Sequence, residues 1–386
     1  MRSIAIKAER LARPPTKLRP RRVLMTADAI GGVWTYAVEL AKCLTAHDIE
    51  IAVATMGIRP SRNQSAELTR IPRTFLFESD FKLEWMNNPW SDVERAGAWL
   101  LDIEDSFRPD IVHLNGYVHA ALPWHVPVVV IAHSCVLSWW KAVRGIEAPS
   151  EWALYRRLVR LGILAADAVI APSQAMLKEI HCWYGKPRRE AVIPNGRDPH
   201  LFRPSEKYAY VFSVGRLWDD AKNISALDAI ADELEWPVFI AGDRISPNGD
   251  ILQMSKSTML GRLSPTHLSE WLGAAPICTL PARYEPFGLC ELEAGLSGCA
   301  LVLGDIESLR ETWHDAALFI SPEDHAGLRD ALNHLIRSPK LLNNLAQRAY
   351  QRALAFDSER MTKAYLEIYR ALLAARTNAG ELGCVS

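Results

Sequence analysis

The sequence predicts an α/β protein made of two doubly wound parallel-sheet units facing each other across a cleft. Three observations predict it. Apolar, strand-like runs alternate with helical stretches along most of the chain. Its 386 residues suffice for two or three domains at about 150 residues each. A turn-rich stretch, Val192–Phe202, with Pro194, Asn195, Gly196 and Pro199 and with Pro204 just beyond, splits the alternation into two series.

In the first series, Arg22–Thr26 reads as a short strand. A Gly31-Gly32 loop follows, then an amphipathic helix around Val33–Ala46. Further strands are expected at Ile49–Thr55, Phe75–Phe77, Ile111–Leu114, Val128–Ala132 and Ala168–Ala171. In the second series the strands are Tyr210–Val214, Pro237–Ala241, Thr258–Leu260, Ile277–Leu280, Ala300–Leu303 and Leu318–Ile320. Residues 323–375 are nearly all helical in pattern, with Asp357 or Ser358 capping the last helix and Asn378–Ser386 a loose end. The expected division is a basic tail at 1–21, one unit at 22–203, a second at 204–355, and a terminal segment at 356–386. Open α/β sheets bind ligands outside the carboxyl ends of their strands, so two facing edges suit a two-part substrate.

Composition excludes several classes. Apolar residues make up 49% and charged residues 23%, which excludes a disordered, collagen-like or disulfide-scaffold chain. A net charge of −1 leaves no global field for nucleic acid. No apolar run approaches the roughly 18 residues of a membrane span. The seven Cys are odd in number and show no C-x-x-C spacing, which fits a reducing cytoplasm. Residues 1–22 carry eight Lys/Arg against Glu9 and lack the apolar stretch of a signal peptide. They read as a solvated tail; the sharper alternative is peripheral contact with anionic lipid headgroups at the inner face of a membrane.

Four constellations carry chemistry. In Glu285-Pro-Phe-Gly-Leu-Cys-Glu-Leu-Glu293, two carboxylates lie eight residues apart after a strand. A helix starting near Phe287 would point the free N–H groups of Phe287, Gly288 and Leu289 into the cleft, where an anion or sugar hydroxyls fit. Glu293 is placed to accept two ribose hydroxyls; the plain alternative is one capping and one solvated carboxylate. In Gly215-Arg216-Leu-Trp-Asp-Asp-Ala-Lys222, a guanidinium and an ammonium follow a strand end and can neutralise a diphosphate. Two surface cations beside Asp219 and Asp220 are the alternative. Gly31-Gly32 before a helix admits a phosphate or sugar, or is a plain tight turn. His133 follows the buried strand Val128–Ala132 at a cleft position, as ligand contact or as structural hydrogen-bond partner. His113, Asn115 and His119 lack zinc spacing, so no metal is assigned.

Together these pieces resemble the retaining glycosyltransferases of family 4, which have the GT-B fold of two Rossmann-like domains. The resemblance runs from about Arg22 to Leu373, and the E-x7-E element Glu285–Glu293 is its strongest part. Gly215-Arg216 with Lys222, Pro194-Asn195-Gly196 and Gly31-Gly32 support it. It implies that Arg216 and Lys222 hold the donor diphosphate and that Glu293 binds the ribose. Glu285 would contact the donor sugar beside the backbone of Phe287, Gly288 and Leu289. Gly31, Gly32 and Gly215 would lie against the donor, and His133 would reach donor sugar or acceptor. Gly261, Arg262 and Leu263 would lie by the base, and the last helix would cross back onto the first domain. The departures are Asn223 after Lys222, where many members have Gly, and the acidic Asp219-Asp220, expected to point away or to cap the next helix. Trp139-Trp140 is expected on the acceptor side, with core packing the alternative.

The implied reaction moves a hexose from a nucleoside diphosphate sugar to an acceptor hydroxyl, with retention and without metal or cofactor. Its setting would be the cytoplasm. A sugar-nucleotide 2-epimerase and a non-catalytic nucleotide-sugar-binding protein are the alternatives. Nothing in the sequence names base, sugar or acceptor.

Overall fold

The structure, a computed structural model, describes residues 19–245 and 253–383. Residues 1–18 of the expected basic tail lie outside the described residues.

Thirteen strands are present among the described residues. The first sheet holds β1 (Arg22–Asp28), β2 (Glu50–Met56), β3 (Thr74–Glu78), β4 (Ile111–Leu114), β5 (Val128–Ile131), β6 (Ala168–Ala171) and β7 (Glu190–Val192). They are parallel, in the order β3-β2-β1-β4-β5-β6-β7. The second sheet holds β8 (Val211–Val214), β9 (Val238–Ala241), β10 (Thr258–Gly261), β11 (Ile277–Leu280), β12 (Ala300–Gly304) and β13 (Leu318–Ile320). It too is parallel, in the order β10-β9-β8-β11-β12-β13. Both sheets are doubly wound, and the expected α/β class with two Rossmann-like units is what the chain adopts.

The helices of the first half are α1 (Gly32–Ala46), α2 (Arg62–Thr69), α3 (Trp90–Phe107), α4 (Val136–Arg144), α5 (Ala153–Ala165) and α6 (Gln174–Tyr184). Those of the second half are α7 (Ile224–Ile230), α8 (Pro265–Ala274), α9 (Leu289–Leu296), α10 (Glu307–Trp313), α11 (His325–Arg337), α12 (Pro339–Ala353) and α13 (Ser358–Gly383).

Both faces of the first sheet are covered, which is why β1 reads as a nearly continuous apolar run rather than an alternating one. Successive side chains still point to opposite faces: Val23, Met25 and Ala27 join one core, Leu24 the other. The first of these cores includes Tyr36, Leu40 and Leu44 of α1 together with Met361, Tyr365, Tyr369 and Leu372 of α13. Their spacing along α13 forms one helical stripe, so the last helix packs on the first sheet although it follows the second.

Two element boundaries differ from the sequence reading. The segment expected as linker from Val192 begins inside an edge strand, β7. Its three half-buried residues are too few to show a period. The last helix continues through Gly383 rather than fraying from Asn378. Of the two residues expected as its cap, Asp357 acts: its Oδ1 accepts the Arg360 N–H at 2.7 Å.

A buried histidine joins α13 to the first domain. His113 on β4 meets the Tyr369 hydroxyl through Nδ1 at 2.6 Å and the Tyr36 hydroxyl through Nε2 at 3.1 Å. Burial is the main cause that drives its pKa down to about 3, so the ring is neutral in the folded chain. The unfolded ring takes a proton near pH 6.5, so this contribution is complete above that pH and is lost as pH falls towards 3. Denaturant titrations between pH 7 and 5 should show stability falling, and His113→Gln should lower that slope by up to about one proton. An unchanged slope would contradict the burial of a neutral ring.

Candidate functional site

In each sheet the strand order reverses at one place, between β1 and β4 and between β8 and β11. Ligand crevices of open α/β sheets lie outside such points. Gly31-Gly32 follow β1, Gly215-Arg216 follow β8 and Glu285–Leu289 follow β11 at these points, while His133 follows β5, the next strand beyond β4.

The two edges meet. Gly31 has φ +70°, and a Cβ placed there would stand 3.5 Å from Arg216 Cδ, so the guanidinium arm of the second domain lies across the glycine of the first. Beside it, a Cβ on Gly32 would be 3.4 Å from Leu289 Cδ1. The N-termini of α1 and α9 therefore face each other, with their unpaired N–H groups and positive dipole ends converging.

Each cation at this junction has a carboxylate. Lys222 Nζ is ion-paired with Glu285 Oε2, both nearly buried. Burial pulls the Lys222 ammonium down, but Glu285 and then Glu291 outweigh it, and the net shift is upward; the group stays charged. Arg216 Nη2 lies 2.8 Å from Asp219 Oδ2, with its guanidinium over the Trp218 ring at 5.5 Å. Asp219 thus neither points away nor caps a helix, as was expected. It is buried, accepts from the Trp139 indole N–H at 3.0 Å and orients Arg216. Asp220 pairs with Arg144 of α4 at 2.7 Å. The acidic pair is a clasp between domains, and Trp139 belongs to it.

The helix after β11 starts at Leu289, not near Phe287. Gly288 precedes it in the left-handed region (φ +93°), and Phe287 is buried in the core of the second domain against Phe356. Glu293 lies one turn inside, its Oε1 2.9 Å from Arg197 Nε. Arg197 also pairs with Glu39 Oε2 of α1, whose Oε1 accepts the Asp198 N–H at 2.9 Å. Arg197 stands in the interdomain segment and was not singled out in the sequence. Its signal there was a basic residue beside Asn195-Gly196, with a Glu39 that looked like an ordinary helix position.

His133 is neutral, its pKa pushed down to about 3 by burial, and its Nε2 meets Asn115 Oδ1 at 2.8 Å. Asp28, at the end of β1, was also missed. Burial raises it to about 6 against the opposing pull of the Ile30 N–H and the Arg216 guanidinium. Gly261 ends β10, the edge strand of the second sheet, where Gly242 N donates to Gly261 O at 2.9 Å, and Arg262 and Leu263 follow it.

Further contacts link the two domains. Tyr284 Oη accepts the Cys135 N–H at 3.1 Å, and Ser173 Oγ donates to Pro286 O at 2.7 Å. The Glu311 carboxylate accepts the Gln174 and Ala175 N–H groups at the N-terminus of α6, at 2.7 and 2.9 Å.

Two facing doubly wound sheets of this order define the GT-B class. Among solved structures, sucrose-phosphate synthase from Thermosynechococcus elongatus superposes with a TM-score of 0.76 at 18% identity, over 92% of this chain and 100% of that one. HepE of Anabaena, in complex with UDP and glucose, gives 0.72 at 16% identity, over 91% and 100%. Residues 30–201 match the family model of Glycosyltransferase Family 4, and residues 199–352 that of Glycosyl transferases group 1. The chain belongs to this family of glycosyltransferases. Glycogen synthase of Mycobacterium tuberculosis is 28% identical over 389 residues, 89% of this chain and 91% of that protein. D-inositol 3-phosphate glycosyltransferase of Frankia alni is 26% identical over 405 residues, covering 90% and 96%.

Removing the cation between two buried carboxylates leaves both uncompensated. Arg197→Met should therefore cost about 3–5 kcal/mol in urea denaturation. A midpoint equal to wild type would show that Glu39 and Glu293 do not depend on it.

Proposed function

We propose that this glycosyltransferase moves a hexose from a nucleoside diphosphate sugar to an acceptor hydroxyl, with retention at the anomeric carbon and without a metal. The observation that carries the reading is the convergence of Arg216 and Lys222 on the junction of the α1 and α9 N-termini. Two cations and two helix dipoles at one point suit a diphosphate. Their carboxylate partners lie in the same place. Glu285 then exchanges its ammonium for the donor sugar, while Lys222 turns to the phosphate. Glu293 takes the ribose, and the backbone of Gly31, Gly32, Gly215, Gly288 and Leu289 lines the donor. Gly261 and Leu263 lie by the base.

The anomeric C–O bond to the distal phosphate breaks while the acceptor oxygen bonds to the same face of that carbon. The acceptor proton passes to the departing phosphate oxygen. Arg216 and Lys222 stabilise the charge that develops there, and closure of the two domains supplies positioning. Neutral His133, held by Asn115, can hydrogen-bond a sugar hydroxyl without adding charge. HepE, the structural relative, is in complex with UDP and glucose, which favours a uridine donor for this chain. No helix among the described residues is long and apolar enough to cross a membrane, and the reaction is proposed for the cytoplasm.

Removing one charge-stabilising donor typically costs 10²–10³ in rate, about 3–4 kcal/mol. Arg216→Ala and Lys222→Ala should each lose about that much in kcat while keeping the wild-type circular dichroism spectrum. Nucleoside diphosphate release in EDTA reads the rate, and proton NMR of the first product reads its anomeric configuration. Wild-type turnover in either variant, or an inverted product, would overturn the reading.

A further inference from the structure

The first turn of α9 holds one more acid that the proposed mechanism does not use. Glu291 is 1% exposed, and neither of its side-chain oxygens hydrogen-bonds another residue. Its position invites a plain explanation: a Glu three residues after the N-cap commonly reaches back to the N-cap N–H. The side chain does curl back that far. A Cβ on Gly288 would stand 2.6 Å from Glu291 Oε2, so only glycine leaves it room. Yet no bond to the Gly288 N–H closes. Among the described residues the only donor to this carboxyl is its own backbone N–H, a buried group left undersatisfied, and it stands where the α9 N-terminus, Lys222 and Glu285 meet.

We propose that Glu291 is a further donor-binding residue: from the first turn of α9 it donates a carboxyl hydrogen bond to the distal phosphate of the nucleoside diphosphate. This rests on the proposed function and adds one contact to that site. A carboxylate there would repel the phosphate, whereas a carboxylic acid adds a donor beside the N–H groups of α9 and the Lys222 ammonium. The charged and titratable groups facing Glu291 are Lys222 from the loop before α7, Glu285 from the loop after β11, Cys278 on β11, and Cys290 and Glu293 on α9. Both thiols are raised by burial and stay neutral, and the Lys222 ammonium stays charged. Burial, then the nearby Glu285 charge, raise the Glu291 acid to about 8 against the pull of Lys222. The free protein therefore loses the acid form above neutrality, and a bound diphosphate restores it.

The test is isothermal titration with UDP at pH 7, 8 and 9, in two buffers of different ionisation enthalpy. The proteins are wild type, Glu291→Gln and Glu291→Leu. With an acid near 8, wild-type Kd should rise about 10-fold from pH 7 to 9, with uptake of about half a proton per UDP at pH 8. Glu291→Gln, an amide donor that cannot titrate, should lose both the pH dependence and the proton uptake. Glu291→Leu should lose them too and bind about 10-fold more weakly at pH 7. Ionisations of UDP itself are common to all three proteins and cancel in the comparison. A purely structural Glu291 would change the melting temperature but not the proton count. Wild-type binding with no proton uptake, or uptake that persists in Glu291→Gln, overturns the assignment and leaves the proposed function standing. No UDP binding by wild type at any pH removes the uridine-donor reading and this assignment with it.

Discussion

The guanidinium of Arg197, held between Glu39 of α1 and Glu293 of α9, is the contact on which the geometry of the cleft depends. It leaves the interdomain segment and binds one helix from each domain, α1 about two turns and α9 about one turn in from the N-terminal ends that form the site. Buried charges demand partners. Glu293 and Glu39 therefore fix where α1 and α9 stand relative to each other, and with them the distance between Gly31-Gly32 and Leu289. The backbone supports the same point: Arg197 N donates to Phe356 O at 3.0 Å, tying the crossover segment to the root of α13.

The rest of the site repeats this logic. Lys222 is paired with Glu285, Arg216 with Asp219, and Arg144 with Asp220. In the proposed reading a diphosphate would take the place of the carboxylates as partner of cations the fold already gathers at one point. Asp28 and Glu291 are each raised by burial and lie near Arg216 and Lys222 respectively. Arg144–Asp220 spans the domain interface, whereas Lys222–Glu285 and Arg216–Asp219 lie within the second domain.

Much of this was legible in the sequence because it is local. Strands such as Ile111–Leu114 and Ile277–Leu280 are short apolar runs between turn signals, and the glycines and the E-x7-E element sit at strand ends where period and punctuation change together. Partners far apart in the chain were not legible. Glu39 and Arg197 are separated by 158 positions, and nothing local in either marks the pair. Asp219 was misread for the same reason: its role depends on Trp139, 80 positions away. Glu291 lay inside a recognised motif but between its two named acids, where an alternating count treats it as filler. The onset of α9 shifted by two residues because Gly288 takes a left-handed conformation that lets Phe287 turn into the core.

The central claim is that Arg216 and Lys222 build a diphosphate site that needs no metal. Thermal denaturation of wild type and Arg216→Ala, with UDP, GDP, ADP and dTDP in EDTA, tests it most directly. A ligand at 100 times its Kd stabilises by about 2.7 kcal/mol, enough to move the transition by several degrees. The account predicts that one nucleotide, UDP, stabilises wild type in EDTA and that Arg216→Ala loses the shift. No shift with any nucleotide, or an equal shift in the variant, would contradict it.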